Sequence, residues 1–319
     1  MSRRDPIFCL LLTVGVVCVM ASVNLVEPST AANIELMKLG LFNPYREFND
    51  WVNTLFFGAI NLSYLPSLVK EQFGNDLGYY LTAYIRDLLA GMCVYWITGT
   101  LWHVAIYNIW VDELFHKKNK KLPTTETIID QMKLAQASLF IYAALPVLSE
   151  FLIENNLTQT YFYIDQIGGW GYYFPLLLAY YTFVEIGIYW VHRTLHTNKF
   201  LYKYIHGLHH KYNKESTLTP WASIAFNPID GIMQCSPYVI GLFFLPVHYF
   251  THLICVVLTG IWATYIHDAA VSIYTTFSLY IRRIFLPSDC AIHVRYIAGP
   301  HRPHHGLQVP YYPPHALPL

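Results

Sequence analysis

Long apolar windows alternate with short polar stretches along this chain. Windows without any Asp, Glu, Lys or Arg cover residues 7–26, 88–111 and 231–266. A helix that crosses the hydrocarbon core of a membrane needs about 20 apolar residues. The first two windows therefore predict one membrane-spanning helix each. The third contains Pro237 and Pro246 and predicts two helices folded back as a hairpin.

Shorter apolar windows and polar punctuation complete the predicted pattern. Residues 134–149 and 168–183 are weaker membrane-spanning candidates, and the polar stretch 27–50 is expected to be a lumenal linker. Thr124 or Thr125 is expected to cap the start of a helix, because both precede an acidic first turn. The sequence thus predicts an all-α fold, a polytopic transmembrane helical bundle.

Three regions are expected along the chain. Residues 1–83 form an N-terminal anchor or signal segment with a linker, residues 84–305 form the membrane domain, and residues 306–319 form a proline-rich tail. An uncleaved anchor at residues 7–26 is favoured over a cleaved signal peptide, because the apolar core is long and "VMAS" is a weak cleavage site. Residues 269–288 are β-branched and aromatic, unlike the apolar helices before them.

Composition and charge support a membrane protein and suggest its orientation. The 319 residues are 55% hydrophobic and 13% charged, outside the usual soluble range. The net charge of zero argues against nucleic acid as a partner, because phosphate binding needs a basic excess. Basic residues lie at positions 3–4, 117–121 and 193–214. If basic loops face the cytosol, every histidine-rich loop also lies on the cytosolic side.

Histidines cluster where these helices are predicted to end. His192 and His196 are four residues apart and share one face of a helix. "HGLHH" and "HRPHH" each place histidines at positions i, i+3 and i+4, which also converge on one side of a helix. Pro303 lies inside the second motif and weakens its helical interpretation. The two motifs contribute His206, His209, His210, His301, His304 and His305.

These eight histidines, with His267 and His293 as further candidates, exceed the three or four ligands that one zinc ion takes. The pattern therefore predicts a cap that holds two metal ions, and imidazole alone does not decide between iron, zinc, copper and nickel. Because carboxylates are few, charge compensation is expected from bound oxygen species or from groups behind the ligands such as Glu185, Asp230 and Asp268.

Other histidines have a simpler interpretation. An isolated histidine on an apolar face is usually a hydrogen-bonded core residue, and we expect this of His103, His248 and His252. His116, beside the lysine run, is expected at the membrane interface. Three clusters at ligand spacing on one predicted side of the membrane favour metal binding over this simpler explanation for the remaining histidines.

Residues 85–305 resemble the fatty acid hydroxylase/sterol desaturase superfamily. The histidine motifs carry the superfamily likeness, and "LYKYIHGLHHKYN", "TLTPWAS" and "NPIDGI" favour its sterol C-5 desaturase branch. The matching histidines are His192 and His196 in the first motif, His206, His209 and His210 in the second, His301, His304 and His305 in the third, and His267 in "IHD".

The resemblance implies an iron enzyme of the endoplasmic reticulum membrane with its site facing the cytosol. It implies two iron ions, molecular oxygen, a sterol substrate, surrounding membrane lipid, and electrons from NAD(P)H through cytochrome b5 and its reductase. The expected reaction converts a Δ7-sterol into a Δ5,7-sterol. Candidate residues for contact with the sterol rings are Trp221, Phe226 and Tyr238.

The chain departs from the family pattern at three places. After His305, the proline-rich residues 306–319 replace the aromatic closing segment that the resemblance leads us to expect. Asn227 stands where relatives usually carry a histidine, and 33 residues separate His267 from His301. We interpret residues 269–288 as an insertion that displaces His293.

Three functions stay open. A C-5 desaturase is favoured, and a related hydroxylase or C-4 methylsterol oxidase is an alternative because the iron ligands do not choose between these reactions. The atypical C-terminal segment also leaves open a non-catalytic sterol- or metal-binding relative.

Overall fold

The computed structural model describes residues 31–267 except residues 213 and 215. The regular structure of these residues is helical apart from one isolated parallel bridge between Tyr161 and His248, so the predicted all-α class is confirmed. The α-helices in chain order are α1 (Ala31–Lys38), α2 (Pro44–Ala59), α3 (Leu65–Phe73), α4 (Asn75–Val104), α5 (Val111–Leu114), α6 (Thr125–Tyr142), α7 (Ala144–Glu154), α8 (Trp170–Thr197), α9 (Lys199–Tyr204), α10 (Pro228–Phe244) and α11 (Tyr249–Ile266).

Short turns of other helix types join these elements. A π-helical turn extends α4 as far as Ile109. The 3-10 turns cover His116–Lys118, Ile164–Ile167, His206–Tyr212 and Pro220–Ala222. The expected membrane segment 7–26, the stretch 269–288 and the tail 306–319 lie outside the described residues.

Four helical stretches are long and apolar enough to cross a membrane. They are Asn75–Ile109, Thr125–Glu154, Trp170–Thr197 and Tyr249–Ile266. Most of the side chains in each apolar window lie on the outside of the bundle, as expected for helices that face lipid rather than water. The described part of the chain is therefore built as a multi-pass membrane protein.

The window of the predicted hairpin forms two helices, α10 and α11, which are joined by a turn at residues 245–248. Of the two, α11 is long and apolar enough to cross a membrane. Pro246 lies in the turn, whereas Pro237 lies inside α10. Pro237 packs against Gly187 of α8, where an added Cβ would come within 2.7 Å of the proline ring. Gly187 therefore lets α8 and α10 approach closely, which positions the C-terminal end of α8 beside the start of α10.

The polar stretch expected to be a linker is partly helical. Asn43 caps α2 by accepting from the backbone N–H of Arg46 at 3.2 Å, and Pro44 occupies the first turn. Tyr45 is buried and packs edge-on against Tyr249 of α11. The expected boundary between residues 83 and 84 falls inside the continuous helix α4.

A buried polar network ties α2, α4 and α7 together. Arg86 binds Glu150, and its Nη1 donates to Asn53 Oδ1 at 3.0 Å. Glu154 accepts from Asn49 Nδ2 at 2.7 Å and from Tyr79 Oη at 2.6 Å. Charged side chains are costly inside a membrane protein unless they are paired. The paired side chains hold α2 and α7 against the N-terminal half of α4.

Candidate metal centre

Helix α8 carries the first histidine pair. His192 and His196 lie one turn apart, and their Nε2 atoms are 2.9 Å from each other. The apolar sequence before them belongs to a continuous helix of 28 residues, so the two rings are displayed from a rigid support near its C-terminal end. This arrangement follows directly from the i, i+4 spacing in the sequence.

The second motif folds back onto this pair. Asn198 caps α9 through its side-chain oxygen, and the chain then turns into the 3-10 helix His206–Tyr212. His206 is fully buried, and its Nε2 lies 3.2 Å from His196 Nε2. Metal-binding nitrogens of His192, His196 and His206 all lie within 4.8 Å of one another.

Three further histidines extend the cluster. The ring centroid of His210 lies 4.8 Å from those of both His196 and His206. The ring of His209 lies 5.3 Å from that of His206 and 5.2 Å from that of His267, at the end of α11. Six of the ten candidate ligands therefore come together from α8, the 3-10 turn and the end of α11.

Hydrogen bonds fix which ring nitrogens face the centre. His206 Nδ1 pairs with Asp230 Oδ2 at 2.7 Å, and His267 Nδ1 donates to the Ala263 carbonyl at 2.8 Å. His192 Nδ1 lies 3.2 Å from Gln234 Oε1. Each contact places the ring proton on Nδ1 and leaves the Nε2 lone pair for a ligand, which is the usual arrangement around metal-binding histidines.

The spacing of the nitrogens fits a metal ion. Two nitrogen ligands about 2.1 Å from one ion stand about 3.0 Å apart at a right angle and about 3.4 Å apart at the tetrahedral angle. The observed separations are 2.9 Å between His192 and His196 and 3.2 Å between His196 and His206. The donor type and these two separations therefore suit a transition-metal ion bound by imidazole.

Burial within the cluster disfavours protonation of His209, His210 and His267. Burial and the neighbouring His267 hold the pKa of His209 well below its ordinary value. Burial, with His206 nearby, lowers the pKa of His210 to about 4. Burial also lowers the pKa of His267. These rings are therefore neutral at physiological pH, which is the form that binds metals.

The remaining candidates have different positions. His293, His301, His304, His305 and Asp268 lie outside the described residues. Among the carboxylates expected to compensate the metal charge, Asp230 contacts His206, whereas Glu185 lies against Tyr181 of the same helix. Asn227 caps α10 by accepting from the Ile229 N–H at 2.9 Å, so its side chain serves the helix start rather than the cluster.

Sequence reasoning missed two neighbours of the site. Gln234 bridges His192 and Asp230, and its Nε2 donates to Asp230 Oδ1 at 2.7 Å. The i, i+4 spacing from Asp230 was a signal for it. The Tyr202 ring lies 5.9 Å from His196 and 5.5 Å from His210, and nothing in the sequence marked this contact.

The histidines expected in the core are hydrogen-bonded there. His248 Nε2 donates to the Phe162 carbonyl at 2.9 Å, and His252 Nδ1 lies 2.8 Å from Tyr180 Oη. His103 Nδ1 accepts from Trp221 Nε1 at 3.3 Å. The simpler interpretation is confirmed for His248 and His252, which are buried, whereas His103 is hydrogen-bonded but only half-buried.

The fold and the cluster together define a helical membrane protein with a histidine-rich candidate metal site. The sequence model of the fatty acid hydroxylase family matches residues 177–312. Among curated proteins, the chain is 38% identical over 224 residues to "Putative Delta(7)-sterol-C5(6)-desaturase 2" of Arabidopsis thaliana. The matched region covers 70% of this chain and 78% of that protein.

Two further relatives extend the likeness to plants and animals. Identity to "Delta(7)-sterol-C5(6)-desaturase" of Nicotiana tabacum is 37% over 64% of this chain and 74% of that protein. Identity to "Lathosterol oxidase" of Rattus norvegicus is 37% over 40% of this chain and 42% of that protein. No solved structure matches. The chain belongs to the fatty acid hydroxylase/sterol desaturase family.

Proposed function

We propose that this protein is a membrane sterol C-5 desaturase that converts a Δ7-sterol into a Δ5,7-sterol. The observation that carries the proposal is the cluster of six histidines, three of which hold their metal-binding nitrogens within 4.8 Å of one another. The family relatives named for the same C5(6) reaction support the choice of substrate and bond.

Iron fits the cluster as the redox metal. His192, His196, His206, His209, His210 and His267 would hold two ions, with His293, His301, His304 and His305 as further proposed ligands. The bound metal supplies activation of molecular oxygen. One hydrogen leaves each of C5 and C6 of the sterol, and a double bond forms between these carbons. Reduction of one O₂ to two waters takes four electrons. Two come from the sterol, and two come from NAD(P)H through cytochrome b5 and its reductase.

The protein's own residues orient the ligands and shape the site. Asp230 holds His206 with Nε2 directed at the other rings, and Gln234 does the same for His192. The Phe226 ring packs at right angles against His209, with 5.3 Å between centroids, and offers an apolar surface beside the cluster. The apolar helices exclude water and admit a lipid-dissolved substrate.

We place the site at the cytosolic face of the endoplasmic reticulum membrane. Arg193, Lys199, Lys203 and Lys211 lie on the same segments as the histidines, and Lys203 and Lys211 stand over the rings of neighbouring tyrosines. Basic residues beside membrane helices favour the cytosolic side. This side also gives cytochrome b5 access to the cluster.

Expression in yeast that lacks its own sterol C-5 desaturase tests the proposal. We expect extracted sterols to show the ultraviolet absorbance of the conjugated Δ5,7-diene, and we expect His209→Ala to abolish it. His248→Ala is a matched control, because His248 is a buried histidine bonded to the Phe162 carbonyl and not to the cluster. Stably expressed protein that yields no diene, or a diene signal that survives His209→Ala, contradicts the proposal.

A further inference from the structure

A further charge-free stretch lies in α2 and α3. Residues 51–69 include no Asp, Glu, Lys or Arg. A stretch of about 20 such residues can cross a membrane when it forms one continuous helix. Here it forms the second half of α2, a turn, and the first half of α3. The stretch is therefore a helical hairpin, which in this form is too short to span the membrane.

The charged residues on either side of this stretch meet at one end of the hairpin. Asp50 Oδ1 of α2 lies 3.4 Å from Lys70 Nζ of α3. The Arg46 guanidinium carbon lies 4.5 Å from the centre of the Tyr79 ring, and Lys70 Nζ lies 5.6 Å from it. Arg46 also pairs with Asp76 at the start of α4. The charged end of the hairpin therefore lies beside the first two turns of α4, and the turn between α2 and α3 forms its uncharged end.

Contacts along α2 show which way the uncharged end points. Asn49 and Tyr79 donate to the same carboxylate oxygen, that of Glu154. Asn53, one turn after Asn49, instead bonds Arg86. Arg86 follows Tyr79 by two turns of α4, or about 10 Å. Helix α2 therefore advances in the same direction as α4, from the charged end toward the apolar part of α4.

Large apolar side chains are exposed around the uncharged end. Leu55 of α2 is 51% exposed, Tyr64 before α3 is 61% exposed, and Leu68 of α3 is 44% exposed. The side of α2 that faces the bundle instead carries the buried Asn49 and Asn53. A helix between a protein core and water has the opposite arrangement, with its apolar face inward. The exposed face of the hairpin therefore suits lipid, and it continues the lipid-facing surface of α4.

The backbone of the turn is satisfied within the hairpin itself. The Asn61 N–H donates to the Gly58 carbonyl at 3.1 Å, and the Leu62 N–H donates to the Phe57 carbonyl at 2.7 Å. Asn61 has a φ of 58°, the left-handed conformation that closes a helix in this pattern. Backbone groups close to hydrocarbon must find their partners within the protein. The turn is therefore built to enter the interfacial layer of a membrane.

We propose that the α2–α3 hairpin, residues 44–73, inserts its uncharged end into the lipid leaflet on the side opposite the histidine cluster. The cluster lies at the other end of α4, where Thr98 Oγ1 is 3.4 Å from Thr264 Oγ1, three residues before His267. Thr98 lies about 30 Å along α4 from Tyr79. The exposed side chains contact phospholipid acyl chains, as those of interfacial helices do. The hairpin thereby anchors the end of the bundle that holds the buried polar network.

Photo-crosslinking in vesicles of palmitoyl-oleoyl-phosphatidylcholine tests the inference. The purified full chain carries p-benzoylphenylalanine in place of one leucine at a time, and lipid adducts are measured by mass spectrometry after irradiation. Leu101, 65% exposed in the apolar part of α4, is the positive reference. Leu77 is the matched control, because it is 57% exposed but lies beside Asp76 at the charged end. We expect adducts at Leu55 and Leu68 close to that at Leu101 and several times that at Leu77.

Two results of this experiment would overturn the inference. One is a yield of lipid adduct at Leu55 and Leu68 no greater than at Leu77. The other is crosslinking of these two positions to a second copy of the chain, because the face would then be covered by protein. Neither result touches the desaturase proposal, which depends on the diene product.

A charge at each position gives a second measurement that needs no crosslinker. Leu55→Asp is expected to lower the melting temperature of the protein in these vesicles, because a charge is costly in lipid. Leu77→Asp is expected to leave the melting temperature close to that of wild type. Equal melting temperatures of the two variants would contradict the insertion of the uncharged end.

Discussion

Asp230→Asn tests whether the carboxylate organises the metal centre. Asp230 and His206 are both fully buried, and their 2.7 Å contact keeps the His206 ring proton on Nδ1. Asp230 Oδ1 also accepts from Gln234 Nε2 at 2.7 Å. An asparagine at this position has only one acceptor oxygen, so its amide nitrogen must face either His206 or Gln234. One of the two contacts then sets a donor against a donor.

Relief of this clash disturbs a second ligand. In the native arrangement, Gln234 Oε1 lies 3.2 Å from His192 Nδ1. Gln234 can relieve the clash by rotating its amide, so that its oxygen accepts from the new amide nitrogen at position 230. The amide nitrogen of Gln234 then faces His192 Nδ1. His192 would then carry its proton on Nε2, where it blocks metal binding. We therefore expect a 10- to 100-fold loss of metal affinity, or about 1.4–2.7 kcal/mol.

The assay is Fe(II) affinity of the purified chain, measured without oxygen by competition with a coloured chelator. Asp112→Asn is the matched control. Asp112 and His116 form an exposed carboxylate–histidine pair, with 2.6 Å between Oδ1 and Nδ1. This pair lies on a segment that contributes no histidine to the cluster. The control is expected to match wild type. An Asp230→Asn protein that folds normally and binds Fe(II) within about twofold of wild type would refute the orienting role of Asp230.

Two stability predictions follow from the packing. Gly99→Ala places a Cβ 2.6 Å from the Trp221 ring and is expected to lower the free energy of unfolding by about 1–3 kcal/mol. The loss is measured as a lower melting temperature. Gly91→Ala is the control and is expected to change stability little, because the atom nearest to its added Cβ lies at 3.5 Å. Arg86→Met leaves Glu150 buried without its cation and is expected to cost about 3–5 kcal/mol. Adding Glu150→Leu should recover part of this loss, and failure to recover any would contradict the ion-pair explanation.

Local sequence patterns were sufficient where a structural feature depends on neighbouring residues. The apolar windows predicted the long helices, including α11, because each helix is fixed by its own composition. The i, i+4 spacing placed His192 and His196 on one face. Thr124, one of two expected caps, does cap α6 by accepting from the Thr127 N–H at 3.2 Å.

Features that depend on distant residues could not be predicted in this way. Residues 44–50 were predicted to be part of a linker because their sequence is polar. Their polar side chains are buried in the folded protein because they find partners in distant parts of the chain, as Asn49 does with Glu154. Gln234 was missed for a similar reason, since its importance comes from the tertiary position of His192.

The clustered histidines are proposed to hold two iron ions. Elemental analysis of the purified full chain, loaded with Fe(II) without oxygen and freed of loosely bound metal, measures the bound iron directly. We expect about two irons per chain in wild type and a clear loss in His206→Ala, whose ring contacts four other cluster histidines. Folded wild-type protein that retains no iron, or His206→Ala protein that retains all of it, would contradict the proposed two-iron site.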